Sequence, residues 1–193
     1  MRLDSSFSKL PAGRDWRTIR FLGIFFAIVV IYYSLTLSPW IDANVLYPVM
    51  KASARGTSTL LNLIGVKTTV EGVIVRGLDH SVAVRRGCDP LEPIVLFAAG
   101  VMAFPAPWRR KVLAIAVVSA FLFGVNLLRI VSLYLLGARK SPLLDSFHLR
   151  WWPAFFIFGI LVLWVLWMRW IQGLILSSTP EPRSGSPRVS PRA

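Results

Sequence analysis

Four long apolar runs divide the chain, and polar or proline-containing stretches separate them. The runs cover residues 21–41, 91–108, 112–137 and 151–176. A helix needs about 20 consecutive apolar residues to cross a bilayer. Three of the runs reach that length, whereas the second is short and interrupted by prolines, as expected of a span or a half-span. We therefore predict an all-α membrane protein with four transmembrane helices, TM1 at 21–41 and TM2–TM4 in a catalytic core at 91–176.

The stretch from 42 to 90, between the first two runs, contains no segment long enough to span. Residues Pro48 to Ile64 place apolar side chains on one helical face and basic ones on another. This pattern predicts an amphipathic helix, which Gly65 would end. Valines then alternate around Gly77-Leu78-Asp79-His80, a pattern typical of a short β-hairpin with a four-residue turn. We expect both elements on the outer side of the membrane.

Basic residues are concentrated at the ends of the runs and predict the orientation of the chain. Residues 1–20 carry five of them, and Arg109-Arg110-Lys111 precede the third span. The tail at 177–193 is rich in Ser, Pro and Arg, which predicts disorder. Because basic flanks favour the cytoplasmic side, we expect both termini in the cytoplasm, in a cell (inner) membrane. A cleaved signal peptide is the alternative for the first run, but the run is long and no Ala-x-Ala site follows it.

Composition supports the membrane assignment. Of 193 residues, 55% are hydrophobic, and the mean hydropathy of +0.61 exceeds that of typical soluble domains. We attribute the net charge of +13 to positive flanks rather than to nucleic-acid binding, because no basic residues interleave with aromatic ones on a soluble module. The single cysteine excludes an internal disulfide and a Cys-rich metal site. We expect no metal and no cofactor.

Arg129 is the most informative residue, because it lies inside the third apolar run. A charged residue within a span is costly and is by default a candidate for a functional site. Asn126 precedes it by three positions and shares its helical face. Arg129 lies about 12 Å below the outer end of the span, and its long side chain can reach upward. Cys88 at the mouth of the second span and His148 just before the fourth are predicted to reach the same leaflet.

These side chains together suit thioester chemistry. A thiolate stabilised by a nearby cation is a nucleophile, which suggests this role for Cys88. His148 could act as general acid and base on the leaving amine. Arg129 could stabilise the thiolate and the oxyanion, with Asn126 orienting the guanidinium.

Structural interpretations stand beside these catalytic ones. Cys88 could be an inert small residue, His148 an interfacial residue, and Arg129 a partner of Glu92 or of backbone carbonyls. His80 is most simply a residue of the hairpin turn.

Two non-enzymatic functions also remain open. In a membrane scaffold Arg129 would pair with an acid on a partner helix, and in a small transporter it would bind an anion. The chain shows no inverted repeat, and Arg129 lies off the midplane, which disfavours the transporter.

Several motifs resemble the exosortase/archaeosortase family. They are Arg86-Gly87-Cys88 at the opening of a span, Phe-Pro-Ala-Pro-Trp-Arg at 104–109, Asn126-Leu-Leu-Arg129-Ile, and the late His148. Members are multi-pass membrane enzymes that are thought to process exported proteins bearing a C-terminal motif, an apolar helix and a basic tail. The resemblance implies that Cys88, Arg129 and His148 form a catalytic triad.

The resemblance also implies partners and a substrate class. The short length and the 104–109 turn are similar to the compact branch called exosortase H, whose substrates are described as bearing an Ile-Pro-Thr-Leu-type signal. The partners would be such substrate proteins, the membrane lipid and an unidentified surface acceptor. One departure concerns Asp89-Pro90, where many members have a small residue and then glycine. It places a carboxylate beside the thiol, where its charge would oppose that of Arg129.

Overall fold

The computed structural model describes the backbone of residues 12–177 and the side chains of residues 16–173. Most of the predicted cytoplasmic segment 1–20 and nearly all of the predicted tail 177–193 lie outside these ranges. The helices are α1 (Ala12–Thr36), α2 (Pro39–Ile41), α3 (Tyr47–Leu63), α4 (Leu91–Ala103), α5 (Trp108–Ala138), α6 (Leu144–Ser146) and α7 (Trp152–Ser177), with π-helical turns at Asp42–Leu46 and Phe147–Trp151. The strands are β1 (Thr69–Glu71), β2 (Ile74–Arg76) and β3 (Ser81–Ala83).

Within residues 12–177, three helices are long and apolar enough to cross a membrane. They are Trp16–Thr36 of α1, all of α5, and Leu144–Gly173, which contains most of α7. Helix α4 has 13 residues, or about 20 Å, less than the roughly 30 Å of a hydrocarbon core. The helix at the second predicted span is therefore shorter than the predicted run at 91–108. It ends at Phe104 in an extended conformation, ψ 139°, because a residue before proline avoids the helical region.

Helices α1, α4, α5 and α7 form an antiparallel bundle. At one end the hydroxyl of Tyr33 in α1 donates a hydrogen bond to Glu92 in α4. At the other end Arg20 of α1 and Met102 of α4 line one cavity. The core there combines side chains of α4, α5 and α7: Phe97, Val101, Ala114, Trp167 and Ile171. The first and the last described residues thus lie at the same end of the bundle, which we call the terminal end. We call the opposite end the site end.

The predicted amphipathic helix exists as α3 and continues from α2 through a π-helical turn. Its buried side chains recur at intervals of three or four: Met50, Ser53, Ala54, Thr57, Ser58 and Leu61. This face packs against α5, where a Cβ added to Gly56 would lie 2.9 Å from Leu127 Cδ1. Gly65 ends the run at φ +86°, as predicted. Helix α3 therefore packs on the bundle at its site end.

The predicted β-hairpin forms two strands of a three-stranded antiparallel sheet of order β1-β2-β3. Val75 pairs with Val82, and residues 77–80 form the four-residue turn as predicted. Strand β1 is an addition to the prediction. It pairs Val70 with Val75 across a tight turn in which Gly72 has φ +62°, a backbone conformation that glycine adopts readily.

The core at the site end joins α3, the sheet and α5. Its members are buried hydrophobic side chains from all three: Leu46, Met50, Ala54, Leu61, Val75, Val84, Ile130 and Tyr134. Cys88 packs against this cluster while remaining partly exposed. The sheet is therefore fixed against Ile130 and Tyr134 of α5, close to Arg129 along that helix, and β3 is followed directly by the segment that carries Cys88.

Candidate active site

The segment that carries Cys88 is a tight turn between the sheet and α4. Gly87 has φ +82°, and the Cys88 N–H donates to the Arg85 carbonyl at 2.9 Å. The Asp89 carboxylate, 7% exposed, accepts hydrogen bonds from the backbone N–H groups of Gly87 at 3.2 Å and Leu91 at 3.0 Å. The acidic residue that departs from the family pattern thus stabilises the turn and the start of α4, through a local side-chain to backbone motif typical of aspartate.

Asn126 and Arg129 project from α5 onto the backbone of this turn. The Arg129 Nη1 donates to the Gly87 carbonyl at 3.1 Å, and the Asn126 Nδ2 donates to the Cys88 carbonyl at 3.0 Å. Both side chains are buried, with 7% and 0% exposure. The polar stripe predicted on one face of the third span therefore faces the residue predicted as nucleophile. Glu92 instead accepts a hydrogen bond from Tyr33.

The same two side chains carry unsatisfied polar atoms. Arg129 Nε and Asn126 Oδ1 are buried and have no hydrogen-bond partner among the described residues. An unpaired buried polar group costs about 1–3 kcal/mol. The site therefore contains one unpaired donor and one unpaired acceptor, both enclosed within the protein next to the Cys88 turn.

The surroundings of Arg129 fix its direction. Its guanidinium carbon lies 5.7 Å from the centroid of the Phe156 ring on α7, a cation–π arrangement. Ser132 Oγ donates to the Arg129 carbonyl at 2.7 Å and accepts from Trp152 Nε1 at 3.0 Å. Helix α7 is thereby tied to α5 beside the site. A cavity of about 220 Å³ opens here and is lined in part by Gly87 and Arg129.

Cys88 and His148 line one cavity, of about 290 Å³. Cys88 enters it from the turn, and His148 from the π-helical turn between α6 and α7. Such turns recur at functional sites. The walls are completed by apolar side chains of α5, among them Ile130 and Leu133. Cys88 and His148 therefore line one cavity. Asn126 holds the backbone carbonyl of Cys88, and Arg129 holds that of Gly87. Arg129 itself lines the adjacent cavity.

His80 and Asp145 also line the Cys88 cavity. His80 lies in the hairpin turn, as expected, but its ring also packs edge-on against Tyr134, with centroids 5.4 Å apart. Gly137 makes this possible, because an added Cβ would lie 2.3 Å from His80 Nε2. Neither residue was predicted to belong to the site. Gly137, one turn after Tyr134, does not reveal that His80 packs there, and no sequence pattern marks Asp145.

The fold and the site together define a multi-pass membrane protein with a thiol and an imidazole at one cavity and a buried guanidinium beside them. The family model for transmembrane exosortase (Exosortase_EpsH) matches residues 14–166. No curated protein and no solved structure matches the chain. The chain belongs to the transmembrane exosortase family, which confirms the predicted family. Membership supports a membrane transpeptidase role in protein sorting at the level of the family.

Proposed function

We propose that this protein is a membrane-embedded cysteine transpeptidase that cleaves the C-terminal sorting signal of exported proteins and transfers them to a surface acceptor. The observation that carries the proposal is the convergence at Cys88. The Cys88 side chain and His148 line the same cavity. Asn126 donates a hydrogen bond to the Cys88 carbonyl, and Arg129 donates one to the Gly87 carbonyl. Family membership supplies the reaction class.

The reaction proceeds through a thioester. The Cys88 thiolate attacks the carbonyl carbon of the scissile peptide and forms a tetrahedral intermediate. The C–N bond then breaks, His148 gives a proton to the leaving nitrogen, and the acyl group stays on sulfur. An amine, hydroxyl or water acceptor attacks the thioester, and His148 takes up its proton. The Cys88 thiolate is released unchanged.

Arg129 contributes a positive charge close to Cys88. A cation near a thiol favours its thiolate form. Arg129 also lines the cavity beside the turn, where a cationic donor would stabilise the oxyanion of the tetrahedral intermediate. Its hydrogen bond to the Gly87 carbonyl also fixes the turn. Asn126 orients the same segment through the Cys88 carbonyl, which holds the sulfur in one position.

The substrate would present its apolar helix within the bilayer. The cavity at Arg129 and an apolar groove of about 300 Å³ between α1, α4 and α7 share Leu96, Ile157 and Ile160. A substrate helix in this groove would bring the peptide preceding it to the Cys88 turn. We expect the substrate to carry a short motif such as the Ile-Pro-Thr-Leu type, then the helix and a basic tail, with cleavage at the outer face of the inner membrane.

Processing of such a protein in cells tests the function. We expect Cys88→Ala and Cys88→Ser to abolish the mobility shift of a co-expressed substrate while the enzyme remains in the membrane. Leu78→Ala is the matched control, because Leu78 lies in the adjacent hairpin turn with 92% of its surface exposed. Processing that continues in Cys88→Ala would reject the enzymatic role and favour a membrane scaffold.

A further inference from the structure

A second polar cavity, of about 540 Å³, lies at the terminal end of the bundle, away from Cys88. Arg17 and Arg20 of α1 and Lys111 of α5 line it, and none of its described lining residues is acidic. Neither arginine forms a salt bridge within the described residues. Like charges that share a cavity repel one another, and a bound anion would relieve this repulsion.

The fold builds this cavity from three separate elements. Arg17, Arg20 and Ile24 follow at helical intervals and so share one face of α1. The proline-rich loop between α4 and α5 stays extended at Phe104 and Pro107, which leaves a gap between the end of α4 and the start of α5.

Lys111 is fixed across this gap. Its Nζ donates to the Met102 carbonyl at 2.8 Å, and this carbonyl lies in the last turn of α4, where helices leave acceptors unsatisfied. The ammonium group is thus held at the wall of the cavity by the fold itself.

The remaining walls are apolar. Phe21 and Ile24 of α1 and Met102 and Phe104 of the α4 end adjoin the cations. The cavity therefore combines a cationic part with an apolar part. A phospholipid has the same two parts, a phosphodiester and acyl chains, and basic pockets between membrane helices bind such headgroups.

We propose that this cavity binds the phosphodiester headgroup of an anionic membrane phospholipid, with Arg17, Arg20 and Lys111 as ligands and an acyl chain against Phe21 and Ile24. Trp16 directly precedes Arg17 and Trp108 begins α5; both are exposed, as interfacial tryptophans are. The proposal does not depend on which side of the membrane this end faces, nor on the transpeptidase reaction.

Binding of phosphatidylglycerol to the purified full-length protein tests the proposal. Binding is measured by native mass spectrometry and by thermal stabilisation in neutral detergent, with phosphatidylcholine and inorganic phosphate as parallel probes. Each basic residue contributes about fivefold in affinity at a membrane surface, so Arg17→Gln/Arg20→Gln is expected to weaken phosphatidylglycerol binding roughly 25-fold. Lys111 is retained because it also holds the end of α4.

Arg109→Gln/Arg110→Gln is the matched control, since it removes the same charge from the same end without changing the described lining of the cavity. We expect it to bind phosphatidylglycerol like the unchanged protein, and Arg17→Lys/Arg20→Lys to retain most of the binding. An equal loss in the control would show a diffuse surface charge and overturn the site. Equal binding of phosphatidylcholine, or saturation by inorganic phosphate alone, would overturn the assignment to an anionic lipid.

Discussion

The hydrogen bond from Asn126 to the Cys88 carbonyl gives the sharpest prediction about how the site is organised. In Asn126→Ala the Cys88 carbonyl loses its donor at 3.0 Å, and the fully buried Asn126 side chain is truncated. A buried acceptor left unpaired costs about 1–3 kcal/mol, and the cost here falls at the lower end because Cys88 is partly exposed. Part of that cost is expected to be relieved by movement of the turn, and a displacement of about 1 Å at a reacting group can slow a reaction roughly 100-fold.

We therefore expect Asn126→Ala to lower the rate of substrate processing by about 10- to 100-fold while Cys88 remains open to a maleimide. The thiol assay is unambiguous because the chain has one cysteine. Processing is followed by single-turnover gel analysis in membranes, and stability by the thermal midpoint in detergent.

Asn62 supplies the matched control for this experiment. Its side chain also joins a helix to a following segment, by donating to the Thr68 carbonyl at 3.2 Å and accepting from the Thr68 N–H at 2.8 Å. Asn62→Ala should lower stability, by less than Asn126→Ala because Asn62 is exposed, without slowing processing. If Asn62→Ala slows processing as much as Asn126→Ala does, Asn126 has no special role in placing Cys88, and the proposed organisation of the turn is refuted.

Three other predictions concern neighbouring residues. His148→Gln is expected to lower processing by about 10²–10⁴-fold, the usual contribution of a general acid, without slowing maleimide labelling of Cys88; normal single-turnover rates would contradict this. Arg129→Lys should process substrate as poorly as Arg129→Gln, because a lysine cannot reproduce the planar donor geometry at the Gly87 carbonyl. Equal processing rates for Arg129→Lys and the unchanged enzyme would contradict this role of the guanidinium. Gly137→Ala should destabilise the protein by about 1–3 kcal/mol, since the new Cβ would lie 2.3 Å from His80 Nε2, and His80→Ala in the same chain should recover most of the thermal midpoint; a double variant no more stable than Gly137→Ala would argue against this contact.

The helical parts of the fold follow from features that act locally. Uninterrupted apolar length predicted α1, α5 and α7, and Gly65 predicted the end of α3, because both signals need no tertiary partner. The length of α4 was overestimated, since the apolar run continues past Ala103 although the prolines at 105 and 107 prevent a helix there. Strand β1 was missed because it carries a single valine, Val70, whereas alternating pairs of valines marked the two strands of the hairpin.

The site was predictable only in part, because its residues come from distant positions. Arg129 and Asn126 share a helix, so their common face follows from spacing alone. The cost of a charge in an apolar run marked Arg129 as functional. The presence of His80 and Asp145 in the Cys88 cavity depends on how the sheet and the α6 turn pack against α5, and no local sequence pattern indicates this packing. The hydrogen bonds of Asp89 likewise depend on the left-handed conformation of Gly87.

Capture of the acyl-enzyme tests the central claim most directly. Membranes containing the enzyme and a motif–helix–basic-tail substrate are quenched in acid during turnover, digested and analysed by mass spectrometry. The account predicts a substrate-derived adduct on the peptide that contains Cys88, which hydroxylamine removes and which is missing from Cys88→Ser. Continued processing with no adduct on Cys88, or with the adduct on another residue, would contradict it.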